Sequence, residues 1–354
     1  MGSTDRPALA YLGGRLARDL VDVTDDPAAL DSSGFWAVLV TFEGTLTCAR
    51  FADVRRAPLP GGRWHGPSHD AWESSLGQEA YQDAVRRVRD EIAAGEVYQV
   101  NVCRVLSAPL ARGADLVGLA TPLATGNPAP YAAVLALPRE GVTVVSASPE
   151  LFLRRAGDVV ESGPIKGTGR TAGDLLPKDH AENVMIVDLV RNDLGRVCET
   201  GSVTVPALCA VEQHPGLVHL VSRVRGRLRP GVGWAGLLAA TSPPGSVSGA
   251  PKSSALRLIA DLEPVPRGPY CGAVGWVDAD RREGVLAVGI RTFWVDGETG
   301  GTPRLCFGTG AGITWGSDPA AEWAETELKA SRLLALASAP TASGRPTTSG
   351  GTAR

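Results

Sequence analysis

The stretch Glu161-Ser-Gly-Pro-Ile-Lys-Gly-Thr-Gly-Arg170 sets one amine among glycines, a proline and a threonine. A strand-like run over 158–161 leads into it, and a helical pattern over 179–193 follows. Its composition predicts a tight turn carrying Lys166. Taken alone, a lysine beside a glycine is a turn residue with a solvated charge. An amine attacks only when neutral, and a free lysine titrates near ~10.4. Lys166 is therefore a nucleophile at neutral pH only if burial or a neighbouring cation brings it toward roughly 7–8.

Outward from this stretch, strand patterns outnumber helical ones. Apolar, β-branched runs cover 35–41, 131–137, 142–146, 217–225 (with His219), 270–277 and 284–295. In the strand over 97–105, Gln99 and Asn101 share one face while Tyr98, Val100 and Val102 share the other, so a polar face is available to line a site. Tyr81, Val85, Val88 and Ile92 fall at helical spacing, with Gly95 as the stop. A second helix carries Val184, Val187, Val190 and Leu194 on its apolar stripe. Pro251 begins a third, with Leu256, Ile259 and Leu262 facing a core, and a last helix starts near Asp318. The strands come in neighbouring groups and do not alternate strictly with helices, which predicts an α+β fold over a doubly wound sheet. The passage over 57–69, rich in proline and glycine, reads as a surface loop or linker. The tail beyond Ser338 has the composition of a disordered end.

The chain's 354 residues suffice for one large domain or two ordinary ones. Its net charge of -3, with both signs interspersed, leaves no electrostatic footprint for nucleic acid or an anionic membrane. Cys48, Cys103, Cys198, Cys209, Cys271 and Cys306 are scattered, without zinc spacing, as reduced thiols of a cytoplasmic protein are. No run approaches the about 18 apolar residues of a membrane span, and the first residues carry no targeting pattern.

Seven segments stand in one order. The lysine stretch is joined by Gly95-Glu-Val-Tyr-Gln-Val-Asn101, Ser146-Ala-Ser-Pro-Glu150, the line from Asp179-His-Ala-Glu182 to Arg191-Asn-Asp193, and His219-Leu-Val-Ser222. Pro244-Gly-Ser-Val-Ser-Gly-Ala-Pro-Lys252 comes next, then Gly310-Ala-Gly-Ile313, followed by Glu322-Trp-Ala-Glu-Thr326. Together, over about 75–337, they resemble the chorismate-utilising enzymes. The Pro-Ile-Lys-Gly-Thr line is most similar to aminodeoxychorismate synthase component I, since anthranilate synthases usually carry alanine at the lysine position.

The resemblance implies two largely antiparallel sheets packed face to face with helices outside. It also implies a strand-rich segment over 1–70, a chorismate-binding catalytic domain over 71–337 and a tail over 338–354. By the same resemblance Glu150 is the general acid that protonates the ring hydroxyl, which requires burial to lift its carboxyl well above ~4.3. Lys166 is the nucleophile that forms a covalent adduct, which ammonia then displaces to give 4-amino-4-deoxychorismate. His219 lies near the leaving hydroxyl. Ser246, Tyr270, Arg291, Gly310, Gly312 and Lys329 contact or border the substrate, with Arg291 and the two glycine amides on its enolpyruvyl carboxylate. Glu182 and Glu325 are implied as direct magnesium ligands, with Asp179 and Glu322 acting through water, and Arg191-Asn-Asp193 as structural. Each acidic pair stands at i, i+3 and, taken alone, is a solvated helix face.

Related isochorismate and salicylate enzymes carry a lysine where this chain has Gln99, which favours ammonia over water as the final nucleophile. The Gly169-Arg170 pair departs from the family's commoner arginine-proline. Neither a Leu-Leu-Glu-Ser-like segment nor a Gly-x-Cys-x-Gly glutaminase motif occurs. Feedback by tryptophan is therefore not expected, and ammonia is expected from solution or from a separate glutamine amidotransferase subunit. The alternatives are an anthranilate synthase component I and, more remotely, a non-catalytic chorismate-binding paralogue.

Overall fold

The computed structural model describes residues 6–169, 171–214, 217–297 and 302–338. Arg170 and the tail over 339–354 lie outside the described residues. Six helices are described: α1 (Gln78–Ala93), α2 (Ala120–Gly126), α3 (Pro177–Gly195), α4 (Trp234–Thr241), α5 (Lys252–Leu262) and α6 (Pro319–Ser338). None is long and apolar enough to cross a membrane.

Helices accompany antiparallel strands, as the sequence predicts. The eighteen described strands hydrogen-bond into one continuous network. Leu9–Leu12 stitches it together, pairing with Arg15–Thr24 on one side and Tyr131–Leu137 on the other. Val142–Ser148 and Leu151–Ala156, neighbours in the chain, lie far apart in this network. The first pairs with Tyr131–Leu137 and Thr292–Asp296, the second with Val159–Gly163 and Glu283–Val288. Pro149 and Glu150 form the passage between them.

Four local expectations are corrected. The lysine stretch is a strand, Ile165–Gly169, paired with Leu217–Arg227, and the register slips between Lys166 and Thr168. Gly167 absorbs the slip at φ +77, a left-handed conformation that glycine adopts without a Cβ penalty, so the lysine sits on a bulge and not in a turn. On α3, Val184 is 43% exposed while Asn183 is fully buried, because positions 183, 187, 190 and 194 form the inward stripe. The strand expected over 284–295 breaks at Arg291, whose φ of +52 separates Glu283–Val288 from Thr292–Asp296. Tyr98 precedes its strand, Gln99–Pro109, and is exposed; Val100 and Val102 are buried. The passage over 57–69 is also pinned from within, since Trp64 is fully buried and donates to the Ala337 carbonyl at 2.6 Å.

Asn183 fastens α3 to the strand behind the lysine. Its Nδ2 donates to the Leu220 carbonyl at 3.0 Å, and its Oδ1 accepts from the Ser222 hydroxyl. Asn183→Ala removes both bonds inside a buried contact, so a loss of about 1–3 kcal/mol is expected. A urea midpoint lowered at constant m-value checks this.

Candidate active site

Three segments converge on the Lys166 amine. Its Nζ lies 3.9 Å from Glu182 Oε2 on α3 and donates to the Ser246 carbonyl at 3.3 Å, with the side chain 15% exposed. Arg304–Ile313 approaches from a third side: a Cβ at Gly312 would stand 3.6 Å from Nζ and would overlap the Gln99 amide nitrogen. The bare backbone at Gly312 leaves that space open. Gln99 is buried, and among the described residues its Oε1 has no hydrogen-bond partner. An orphaned buried acceptor costs about 1–3 kcal/mol, so this atom is suited to a donor that arrives with a ligand.

Glu150 lies 4% exposed beside the same Ser246. The Ser148 hydroxyl fixes its approach by donating to the Val288 carbonyl at 2.6 Å and accepting from the Glu150 amide at 3.3 Å. A cavity lined by Phe152, Leu153, Val190, Val288 and Ser246 adjoins the carboxyl. Burial pushes Glu150 up to about 7, and the Ser246 hydroxyl, the Lys166 charge and the Ile165 amide offset only part of that rise. A carboxyl poised there can hold or release a proton at neutral pH.

The acidic pairs lie on α3 and α6. Burial raises Glu182, opposed by Lys166, while the charges of Asp179 and Glu325 push it further up. Burial acts most strongly on Glu325, but Lys329 at 2.6 Å, Lys178 and Lys166 together outweigh it and leave that carboxyl below its ordinary value. Burial raises Glu322 against a hydrogen bond from Ser317. Asp179 caps α3, accepting from the Leu176 amide at 2.8 Å. Among the described residues no three acidic, histidine or cysteine side chains form a ready metal cage. Glu182 lies within the field of Glu325, so these are the two carboxylates the cleft offers to a hard cation such as magnesium, which takes one or two carboxylates and keeps several waters.

The remaining expected residues border this group. Lys329 donates to the Gly310 carbonyl at 3.1 Å, and Gly310 is packed so closely that a Cβ would meet Cys103 Sγ at 2.6 Å. Tyr270 is buried with its hydroxyl 3.8 Å from Cys103 Sγ. Arg291 donates to Asn127 Oδ1 at 3.4 Å and has no carboxylate partner among the described residues. Burial lowers its pKa, so it is a guanidinium suited to a bound anion. His219 is buried on the strand beside Lys166, opposite Thr168 and Glu212 in register. Asp193, near the end of α3, pairs with Lys252 on α5 at 2.6 Å. Lys166, Glu150, Ser246, Glu182, Gln99 and Gly312 are thus brought together. Tyr270 and Arg291 make their contacts elsewhere, with Cys103 and Asn127. Asn127 opens the Asn127-Pro-Ala-Pro130 turn, whose composition is the signal that marks it in the sequence.

A family model described as chorismate binding enzyme matches residues 50–335. The chain belongs to the chorismate-binding enzymes. It is 40% identical over 275 residues to an anthranilate synthase component 1 of Haloarcula marismortui, covering 74% of this chain and 54% of that one. It is 38% identical over 278 residues to the aminodeoxychorismate synthase component 1 of Klebsiella aerogenes, covering 75% and 59%. The chain therefore spans little more than half the length of these curated relatives. The solved anthranilate synthase component I of Streptococcus pneumoniae superposes with a TM-score of 0.74 at 24% identity, covering 94% of this chain and 91% of that one, which establishes a shared fold. This chorismate-binding enzyme thus resembles proteins of both names about equally, and overall identity does not separate their reactions.

Ser246→Ala removes the hydrogen bond that holds Glu150 down, so its protonation midpoint should rise above about 7. Infrared titration of the carboxyl band checks this, with Glu150→Gln as the variant that removes the band.

Proposed function

We propose that the chain is an aminodeoxychorismate synthase component I, converting chorismate and ammonia to 4-amino-4-deoxychorismate through a Lys166 adduct. The observation that carries this reading is the Lys166 amine, mostly buried and sharing Ser246 with a carboxyl poised at about 7. In the proposed path Lys166 Nζ bonds to ring carbon 2, both ring double bonds shift toward carbon 4, and the carbon 4 hydroxyl takes the Glu150 proton and departs as water. Ammonia then bonds to carbon 4, the double bonds shift back, and the bond from carbon 2 to the lysine breaks. Covalent catalysis of this kind divides one hard substitution into two assisted ones.

Arg291 supplies the counter-charge for one substrate carboxylate, and the orphaned Gln99 Oε1 accepts from the incoming ammonia or the adduct nitrogen. Magnesium held by Glu182 and Glu325 would neutralise the ring carboxylate. Asp179 and Glu322 would then act through water. The role of His219 follows from the resemblance alone: a polar group near the departing hydroxyl. Ammonia would come from a glutamine amidotransferase subunit, and a cytoplasmic location with chorismate as substrate belongs to the same reading.

The second reading is anthranilate synthesis, favoured by the larger number of relatives bearing that name. One assay separates them: the chain with chorismate, magnesium and ammonium salt, products resolved by mass, beside Lys166→Ala. Aminodeoxychorismate from the wild type and its loss in the variant are expected. Anthranilate as the wild-type product rejects the proposal, and an undiminished aminodeoxychorismate yield in the variant rejects the adduct.

The pH dependence has a defined sign. Glu150 acts while protonated, so kcat should fall as pH rises through about 7. Glu150→Gln should lower kcat on the order of 10²–10⁴-fold and flatten that limb, as a pH–rate profile will report.

A further inference from the structure

The strand Gln99–Pro109 is incompletely covered along one edge. Gly249–Ala250 pairs with Gln99 and Val100, and the Ser248 carbonyl takes the Asn101 amide at 2.8 Å. Further along, Glu73–Ser74 pairs with Leu106 and Ser107. Between these two short strands the Asn101 carbonyl and the Cys103 amide face no backbone partner among the described residues. Two side chains take the missing strand's place. Arg267 Nη2 donates to Asn101 O at 2.7 Å, and the Cys103 amide donates to Glu263 Oε1 at 2.8 Å.

The pair is itself bidentate, with Nε to Oε2 at 2.7 Å and Nη2 to Oε1 at 2.6 Å, and its side chains are only 1% and 7% exposed. The guanidinium carbon lies 4.1 Å from the Phe42 ring centroid. Filling a sheet edge would be a purely structural duty, but a third contact goes further. Arg267 Nη1 donates to the Val247 carbonyl at 2.8 Å, one residue beyond Ser246. Ser246 gives its hydroxyl to Glu150 and its carbonyl to Lys166. The Arg267 carbonyl also accepts the Tyr270 amide at 3.2 Å.

We infer that Arg267, braced by Glu263, is a positioning residue that sets the Ser246 turn against the Gln99 strand and so fixes the acid relative to the amine. A planar fork can hold a carboxylate and two carbonyls at once, whereas a lysine at this place offers one nitrogen on a flexible stem. The inference deepens the proposed function, and its kinetic arm rests on that reading.

The test compares the full chain with Arg267→Lys, Arg267→Ala with and without millimolar guanidinium, and the doubly apolar Arg267→Met/Glu263→Met. The double variant leaves no buried charge orphaned, so it keeps the test open if the single variants fail to fold. In Arg267→Lys, kcat for chorismate consumption should fall on the order of tenfold to a hundredfold with KM little changed. Guanidinium should restore part of the rate to Arg267→Ala. In every folded variant the Glu150 infrared midpoint should rise, because a slackened Ser246 no longer holds it down. A rate loss that tracks only the folded fraction, with an unmoved Glu150 midpoint, overturns the inference. A wild-type chain that consumes no chorismate overturns the proposed function instead, and the Glu150 midpoint then decides the positioning alone.

Discussion

A carboxyl buried to 4% exposure must either find partners or give up its charge, and Glu150 does some of each. Its surroundings lift it to about 7 and leave it a hydroxyl, a backbone amide and a lysine at a distance. The lysine does not close on the acid directly. Ser246 stands between them, serving the acid through its side chain and the amine through its main chain. The carboxyl and the amine are thereby linked through one residue of a short turn, Gly245–Val247.

Charge in the neighbourhood is arranged in opposition. Lys166 faces Glu182 and Lys329 faces Glu325, while the two glutamates, on different helices, repel each other. Pairs drawn from α3, α6 and the bulged strand give the cleft both signs at once. On the proposed reading, a dianionic substrate adds negative charge here, and Arg291, which has no described carboxylate partner, and a hydrated cation offset it.

Much of this was legible in the residues. Alternation in the run around Gln99 predicted a strand with a polar inner face, and Gln99 and Asn101 are both buried there. Helical spacing from Tyr81 to Ile92 and the stop at Gly95 match α1. Errors arose where a distant partner overrides local chemistry. Proline and glycine around Lys166 read as a turn, and only pairing with Leu217–Arg227 makes that stretch a strand. Helical spacing puts Val184 on the inward stripe, yet Asn183 takes that side because Leu220 and Ser222 supply its hydrogen bonds. Glu263 and Arg267 stand at i, i+4, the spacing of an ordinary solvated pair, and nothing local reveals that both are buried across a gap in the sheet.

Gly312 carries a consequence for how such a site can change over generations. Any residue reachable from a glycine codon by one base change brings a Cβ, which would strike the Gln99 amide and crowd the Lys166 amine. A change at this position requires the flexible end of Gln99 to swing aside. Inherited variation at this glycine should therefore travel with variation at Gln99, the two positions changing as a pair.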